Sequence, residues 1–401
     1  MLSVADALAR VLANARPLAA GNAPLADAHG RVLAADLKAL RTQPPADVSA
    51  MDGYAVRGED VASAPARLKL VGEVAAGHPF DRPVGPGETA RIFTGGVLPP
   101  GSDTVAIQEH ATRDGDAVTI NKATAKGRNV RPQGLDFRAG DVLLPRGRRL
   151  TSRDLALAAA MNHASVPVHR RPKVAMLATG DELVMPGREP GPGQIVYSNG
   201  FALHAQIYGE DAEVIDLGIA PDNLDATIAA VRRAREAGAD VLVTTGGASV
   251  GEHDYVQKAF LAEGMDLSFW KVAMRPGRPL MHGRLGGMEV LGLPGNPVSA
   301  FVCTLLFVVP LLRRLAGRAD LGPDTESAVL GRDLPANDER ADYLRSALDT
   351  DPNGTSVATP FSPQDSSMLA PLAKAACLVI REPYAPAAAA GSACAIVKLA
   401  F

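Results

Sequence analysis

Between Arg171 and about residue 320, short apolar runs alternate with helical stretches, and this alternation constrains the fold more than any other feature of the chain. Residues 174–178 read as a strand, followed by a helix near 201–208, a strand at 213–217, a helix at 224–237 and a strand at 241–245. Residues 267–273 and 288–293 are further strand candidates, and a helix starts after Pro297. Strands that alternate with helices build βαβ units around a mostly parallel sheet. Ligands of such sheets sit beyond the carboxyl ends of the strands. The unusual residues collect at those ends: Thr179-Gly180-Asp181-Glu182, Gly246-Gly247, and Pro294-Gly295-Asn296-Pro297-Val298-Ser299.

The flanks have a different grammar. Ser3, with Asp6 three positions on, opens a helix striped by Leu8, Val11 and Leu12, and Gln43-Pro44-Pro45 ends that region. Residues 49–142 hold short β-prone runs (67–70, 88–93, 117–120) separated by Gly85-Pro86-Gly87, Pro99-Pro100-Gly101 and Asp114-Gly115-Asp116. Thr151 or Ser152 then caps a second helix. The pattern predicts a β-rich lobe (46–142) inserted between helical segments 1–45 and 143–170, an α/β domain at 171–320, and a β-rich domain at 321–401 that is a small barrel or sandwich.

Composition excludes several classes. Lys+Arg 41 against Asp+Glu 44 gives a net charge of −3, without the basic excess that a nucleic-acid backbone attracts. The strongest apolar run, 301–312, is broken by Pro310 and is shorter than the roughly 20 residues a membrane span needs, so it reads as a buried helix. Cys303, Cys377 and Cys394 show no CxxC spacing, which argues against a thiolate zinc site or a disulfide framework and for a reducing cytoplasm.

The segment from Asp240 to Tyr255 carries the most chemistry. A strand runs into Gly246 and Gly247, where backbone N–H groups can approach an oxyanion; Ser249 adds a hydroxyl, and Asp254 a carboxylate suited to Mg²⁺. Within it, Gly247-Ala248-Ser249-Val250-Gly251 matches the nucleophile elbow of serine hydrolases. However, His282 is the one histidine left after His253, and the paired glycines lengthen the turn beyond a sharp elbow. In Thr179-Gly180-Asp181-Glu182 the acidic pair reads either as helix capping or, through Glu182, as a second carboxylate for the cation at Asp254. Lys271, Arg275 and Arg278 form a cationic cluster stiffened by Pro276 and Pro279, suited to oxyanions or to a solvated loop. Asn296-Pro297 is helix-start grammar and leaves an open helix N-terminus. In the lobe, Asp52, Thr94, Arg131 and Asp136 each stand on a turn or a strand end.

Taken in order, these segments resemble the molybdenum insertases, the molybdopterin molybdenumtransferase family. The resemblance rests on Ser49-Ala50-Met51-Asp52-Gly53-Tyr54-Ala55, Thr94-Gly95, Ala178-Thr179-Gly180-Asp181-Glu182-Leu183, Thr245-Gly246-Gly247 with Ser249-Val250-Gly251 and Asp254-Tyr255, and Leu293 through Ser299. It implies an α/β multidomain fold with an N-terminal helical segment and inserted β-rich lobe, a central mostly parallel α/β molybdopterin-binding domain, and a C-terminal small β-barrel. The implied reaction inserts molybdenum from molybdate into adenylylated molybdopterin with release of AMP. A homodimer would share its site between subunits, supplied by a molybdopterin adenylyltransferase and serving apo-molybdoenzymes.

By this resemblance Glu182 and Asp254 hold Mg²⁺. Thr179, Gly180, Asp181, Gly246, Gly247, Ser249, Gly251, Pro294, Gly295, Asn296, Pro297 and Ser299 cradle nucleotide and phosphate. Asp52, Thr94, Arg131 and Asp136 reach over from the partner's lobe, and Lys271, Arg275 and Arg278 balance the charge. The chain departs from the pattern in carrying arginine at 275 and 278, where many members have lysine, and Asp365 within Gln364-Asp365-Ser366-Ser367. Two other readings remain at this point: an adenylyltransferase acting on molybdopterin, and a non-catalytic scaffold for pterin or protein.

Overall fold

The computed structural model describes residues 1–246 and 255–399. Helix α1 (Val4–Ala13) is capped by Ser3, whose hydroxyl accepts the Asp6 N–H, and it buries Ala7 and Val11. Helix α2 (Ser152–Ala160) opens with a full capping box between Thr151 and Asp154. The segments around the lobe also pair with each other, residue by residue, over Ala20–Pro24 and Ser165–His169. That long-range antiparallel pairing is invisible to a local reading, which sees helix alone on either side.

The lobe is one six-stranded sheet: β1 (Gly53–Val56), β2 (Ala66–Val74), β3 (Glu88–Ile92), β4 (Thr104–Ile107), β5 (Ala111–Asp114) and β6 (Ala117–Ile120), in the order β4-β1-β3-β2-β6-β5. Beside it the two-residue strand Val130–Arg131 pairs with Val48–Ser49.

The central domain contains β7 (Lys173–Thr179), α3 (Asn199–Gly209), β8 (Glu213–Ala220), α4 (Leu224–Glu236), β9 (Val241–Thr245), α5 (Tyr255–Ala262), β10 (Asp266–Trp270), β11 (Met281–Leu285) and β12 (Met288–Leu293). The sheet order is β8-β7-β9-β12-β11-β10. The first four strands are parallel, whereas β11 and β10 add antiparallel edges. The inner parallel strands β7, β9 and β12 are buried on both faces, because one face packs on α4 and α5 through Val231, Phe260 and Leu242, and the other on α1 and the long helix α6 (Pro297–Leu315), whereas the edge strand β8 exposes Glu213 and Asp216. Helix α6 continues through Pro310. That residue has no N–H to offer, and the turn ahead of it, Thr304–Val308, widens to π geometry. Its apolar length is spent inside the protein, packed against the sheet and the C-terminal domain.

The C-terminal strands β13 (Thr325–Leu330), β14 (Ala341–Thr350), β15 (Ser356–Pro360), β16 (Cys377–Arg381) and β17 (Ala393–Lys398) close into a five-stranded barrel: the order β14-β15-β13-β17-β16 returns to β14. A barrel closed in this way leaves no free edge strand.

Candidate active site at the strand ends

The carboxyl ends of β7, β9 and β12 open onto a cavity of about 440 Å³ lined by Thr179, Glu182, Tyr197, Asn199, Thr245, Gly246, Gly295, Asn296, Pro297, Ser367 and Leu369 among others. Six expected residues meet there: Thr179, Glu182, Gly246, Gly295, Asn296 and Pro297. Parallel pairing sets them side by side, with Ala178 opposite Thr245 and Thr245 opposite Leu293. Gly246 has φ +87°, and a side chain on it would run into the Thr179 carbonyl, so the close approach of these two strand ends requires glycine.

The Thr179 hydroxyl is buried and has no hydrogen-bond partner among the described residues, at a wall of the cavity. A buried polar group normally has a partner, so this hydroxyl marks a place for a ligand atom. The Glu182 carboxylate lies against Gly180, in space that a side chain there would fill. Gly180 itself is buried. Asp181 turns aside: its Oδ1 accepts the Asp222 N–H at 3.1 Å and its own N–H donates to Asp222 Oδ2 at 3.4 Å. Among the described residues no group of three His, Cys, Asp or Glu side chains stands ready to hold a metal. The expected second carboxylate, Asp254, lies outside the described residues, as do Gly247, Ser249 and Gly251.

Asn296 stands at the N-cap of α6 but makes no capping bond with its side chain. Its amide donates to Ser366 Oγ at 2.8 Å, and the Val298 N–H donates to the Ser366 carbonyl at 3.0 Å, so a barrel loop seals one side of the cavity. Pro294 and Ser299 are buried, and neither lines the cavity.

The cations separate. Arg275 is correctly a cross-domain tether: its guanidinium forks onto both Asp342 oxygens, with Asp338 and Asn337 close by, and bonding to Asp342 raises its pKa. Arg275 and Asp342 are also partners in strand pairing between Met274–Arg275 and β14, so the charge expected to balance phosphate and molybdate is paired with Asp342. Lys271 keeps a positive φ and lies 5.3 Å from the Trp270 ring centre, and Arg278 is exposed.

The lobe residues lie along another stretch, residues 43–52. Asp52 Oδ1 accepts the Thr94 N–H and the Thr94 hydroxyl, both at 2.8 Å. The Thr94 backbone bond, then its hydroxyl, holds this carboxyl below its ordinary range, with Arg91 adding to the effect. Arg131 pairs with Val48, and the Asp136 N–H donates to the Gln43 carbonyl at 3.0 Å. None of the four lines the central cavity of its own chain.

A sequence reading misses Tyr197, Asn199, Asp222, Ser367 and Leu369 as neighbours of this site. Asp222 was within reach, since Pro221-Asp222-Asn223 ends a parallel strand just as Thr179-Gly180-Asp181 does. The others stand in loops or at the first residue of a helix, as Asn199 and Leu369 do.

Residues 2–162 match the family described as MoeA N-terminal region (domain I and II), residues 175–314 the probable molybdopterin binding domain, and residues 327–399 the MoeA C-terminal region (domain IV). A molybdopterin molybdenumtransferase of Haemophilus influenzae is 36% identical over 89% of this chain and 88% of its own length. That of Bacillus subtilis is 35% identical over 89% and 84%. The crystal structure of a molybdopterin biosynthesis MoeA protein from Pyrococcus horikoshii superposes with a TM-score of 0.86 at 31% identity, covering 100% of both chains. With this order of strand ends, barrel and lobe, and with these relatives spanning nearly its whole length, the chain belongs to the molybdopterin molybdenumtransferase family.

Proposed function

We propose that this chain inserts molybdenum from molybdate into adenylylated molybdopterin, with hydrolytic release of AMP. The observation that carries the reading is the cavity at the sheet's carboxyl edge, where the Thr179 hydroxyl, without a hydrogen-bond partner among the described residues, meets Gly246 and the Gly295-Asn296-Pro297 turn. Thr179 would donate to a phosphate oxygen, and the backbone N–H at Gly246 would favour the same negative charge. Water attacks phosphorus, the anhydride P–O bond breaks, and AMP leaves. Lys271 and Arg278 supply charge where molybdate and phosphate gather.

The Asp52–Thr94 pair belongs to the same reading. Both bonds fall on Oδ1, so Oδ2 would orient a water. Arg131 and Asp136 lie further back along the same segment, against Val48 and Gln43. None of these lobe residues lines the cavity of its own chain, which supports a homodimer in which each lobe serves the partner's site. Helix α3 supports the dimer as well, presenting Phe201 (54% exposed) and Tyr208 (71% exposed) with His204 stacked beside Tyr208.

Mg²⁺ dependence is part of the proposal. The Glu182 carboxylate is an oxygen donor of the kind such an ion takes, and Asp254 is the second ligand proposed. When bound, the ion would neutralise charge on the scissile diphosphate. Three free cysteines, two of them buried, fit a reducing cytoplasm. A molybdopterin adenylyltransferase would supply the substrate, and apo-molybdoenzymes would take the product.

The test is incubation of the purified chain with adenylylated molybdopterin, Mg²⁺ and molybdate. AMP release that depends on molybdate is expected, and Glu182→Gln should raise the Mg²⁺ concentration needed for half-maximal rate at least tenfold. ATP consumption with free molybdopterin would replace the reading by adenylyl transfer, and binding without turnover would replace it by a scaffold.

A further inference from the structure

Asp52 stands one residue before β1, and a single guanidinium reaches the groups that fix its backbone. Arg91, on β3, lies opposite Tyr54 in the strand pairing. Its Nη1 donates to the Gly53 carbonyl at 3.0 Å, and its Nη2 donates to Gln108 Oε1 at 2.5 Å. Gln108 follows β4, and its backbone N–H donates to the Asp52 carbonyl at 3.1 Å. One side chain therefore ties β3, the start of β1 and the end of β4 together where Asp52 emerges. The guanidinium carbon lies over the Tyr54 ring at 5.2 Å and over the Phe93 ring at 4.8 Å from their centres, so two aromatic faces hold the group in place.

The backbone beneath this fork is tightly packed. Gly53 pairs with Ile92 on one side and Ile107 on the other, and a side chain at 53 would run into the Ala106 carbonyl. The strand pairing ends at Gly53, and Asp52 lies just beyond it. Functional groups must be held within roughly half an ångström of the productive geometry. The two bonds from Thr94 fix the Asp52 carboxylate against one turn. The Arg91 fork fixes the backbone that carries that carboxylate against the neighbouring strands. Two acceptors gripped by one planar group demand arginine, since a lysine ammonium is a point charge without that fork.

We propose that Arg91 is a positioning residue for Asp52: by forking onto the Gly53 carbonyl and Gln108 it sets where the lobe presents the Asp52 carboxylate to the reacting groups. This rests on the reading of Asp52 given above. Arg91 acts through Asp52, so its loss should lower kcat more than it weakens substrate binding, because geometry is demanded most strictly in the transition state.

The test compares the full-length protein with Arg91→Lys, Arg91→Met, Gln108→Leu, Asp52→Asn and the double variant of Asp52→Asn with Arg91→Met. The measurements are kcat and KM for molybdate-dependent AMP release and hydrogen exchange at the Gln108 N–H, which reports its bond to Asp52. Both Arg91 variants should lower kcat about tenfold with KM within about twofold, since lysine keeps the charge and loses the fork. Gln108→Leu removes one grip and should lower kcat about threefold. Added to Asp52→Asn, Arg91→Met should cost less than about twofold more, because both act through one carboxylate. Exchange at Gln108 should quicken in both Arg91 variants. Arg91→Lys with wild-type kcat, a loss carried by KM alone, or losses that multiply in the double variant overturn the proposal. If Arg91→Met fails to fold, Arg91→Lys and Gln108→Leu decide by the same measures. A wild-type protein that releases no AMP, or full turnover in Asp52→Asn, sinks the functional reading of the lobe, while exchange at Gln108 still judges the grip.

Discussion

Arg345→Met should loosen the barrel loop that seals the cavity and destabilise the barrel. Arg345, on β14, is 1% exposed and bonds to no carboxylate among the described residues: its Nη1 donates to the Met368 carbonyl and its Nη2 to the Asp365 carbonyl, both at 2.9 Å, with longer contacts to Pro363 and Gln364. Asp365 is turned away onto Ser367, whose hydroxyl and then N–H hold that carboxyl below its usual range. The guanidinium is therefore the internal brace of the loop that bonds Asn296 and Val298 through Ser366.

Methionine keeps most of the stem's length and removes every donor. Hydrogen bonds from a charged donor contribute about 1.5–3 kcal/mol each, so the two short ones amount to about 3–6 kcal/mol. Relief from burying an unpaired cation, whose pKa burial lowers, returns part of that, leaving a net loss of about 2–4 kcal/mol. For a domain of this size about 1 kcal/mol moves the midpoint by 4–8 °C, so the barrel's calorimetric transition should fall by roughly 8 °C or more. Exchange across residues 363–369 should quicken in parallel. A midpoint within about 1 °C of wild type, with loop exchange unaltered, would show that the carbonyls find other partners and that the brace is dispensable.

Two further outcomes follow from the same geometry. Asp52→Ala and Asp254→Ala homodimers should each lose turnover, whereas mixed dimers should regain it at one of their two sites; mixtures no more active than either parent would refute a site built from two subunits. At low pH the cross-domain tether should weaken. Bonding to Arg340, with Arg275 nearby, pulls Asp338 down to about 2, so its contribution is complete above the ordinary carboxylate range and is lost as pH falls through about 2. Exchange at Met274–Arg275 should therefore rise between pH 4 and pH 2 in wild type and change less in Asp338→Asn; equal pH responses would remove Asp338 from the tether.

The parallel core was open to a sequence reading because its inner strands are buried on both faces and end at a glycine or capping residue, a local pattern that needs no partner to be recognised. Val241–Thr245 and Met288–Leu293 are cases. Met281–Leu285 was not legible: His282, Gly283 and Arg284 break the apolar run, and His282 is accepted in the interior through its bond to Glu289 at 3.0 Å. Pairing of Ala20–Pro24 with Ser165–His169 was hidden for another reason, since the two strands are far apart in sequence and neither is apolar throughout.

The candidate site divides the same way. Residue types at strand ends identified Thr179, Glu182, Gly246 and the Gly295–Pro297 turn, because the chemistry of a glycine, a carboxylate or a helix start is set by its own few neighbours. The sequence by itself determined the parallel core and the glycine, carboxylate and helix-start positions at its strand ends. Tertiary structure alone decided that Arg275 is tied to Asp342, that Ser366 meets Asn296, and that Asn199 reaches Gly295. Those bonds join groups from separate elements, and their existence depends on distances that no local pattern encodes.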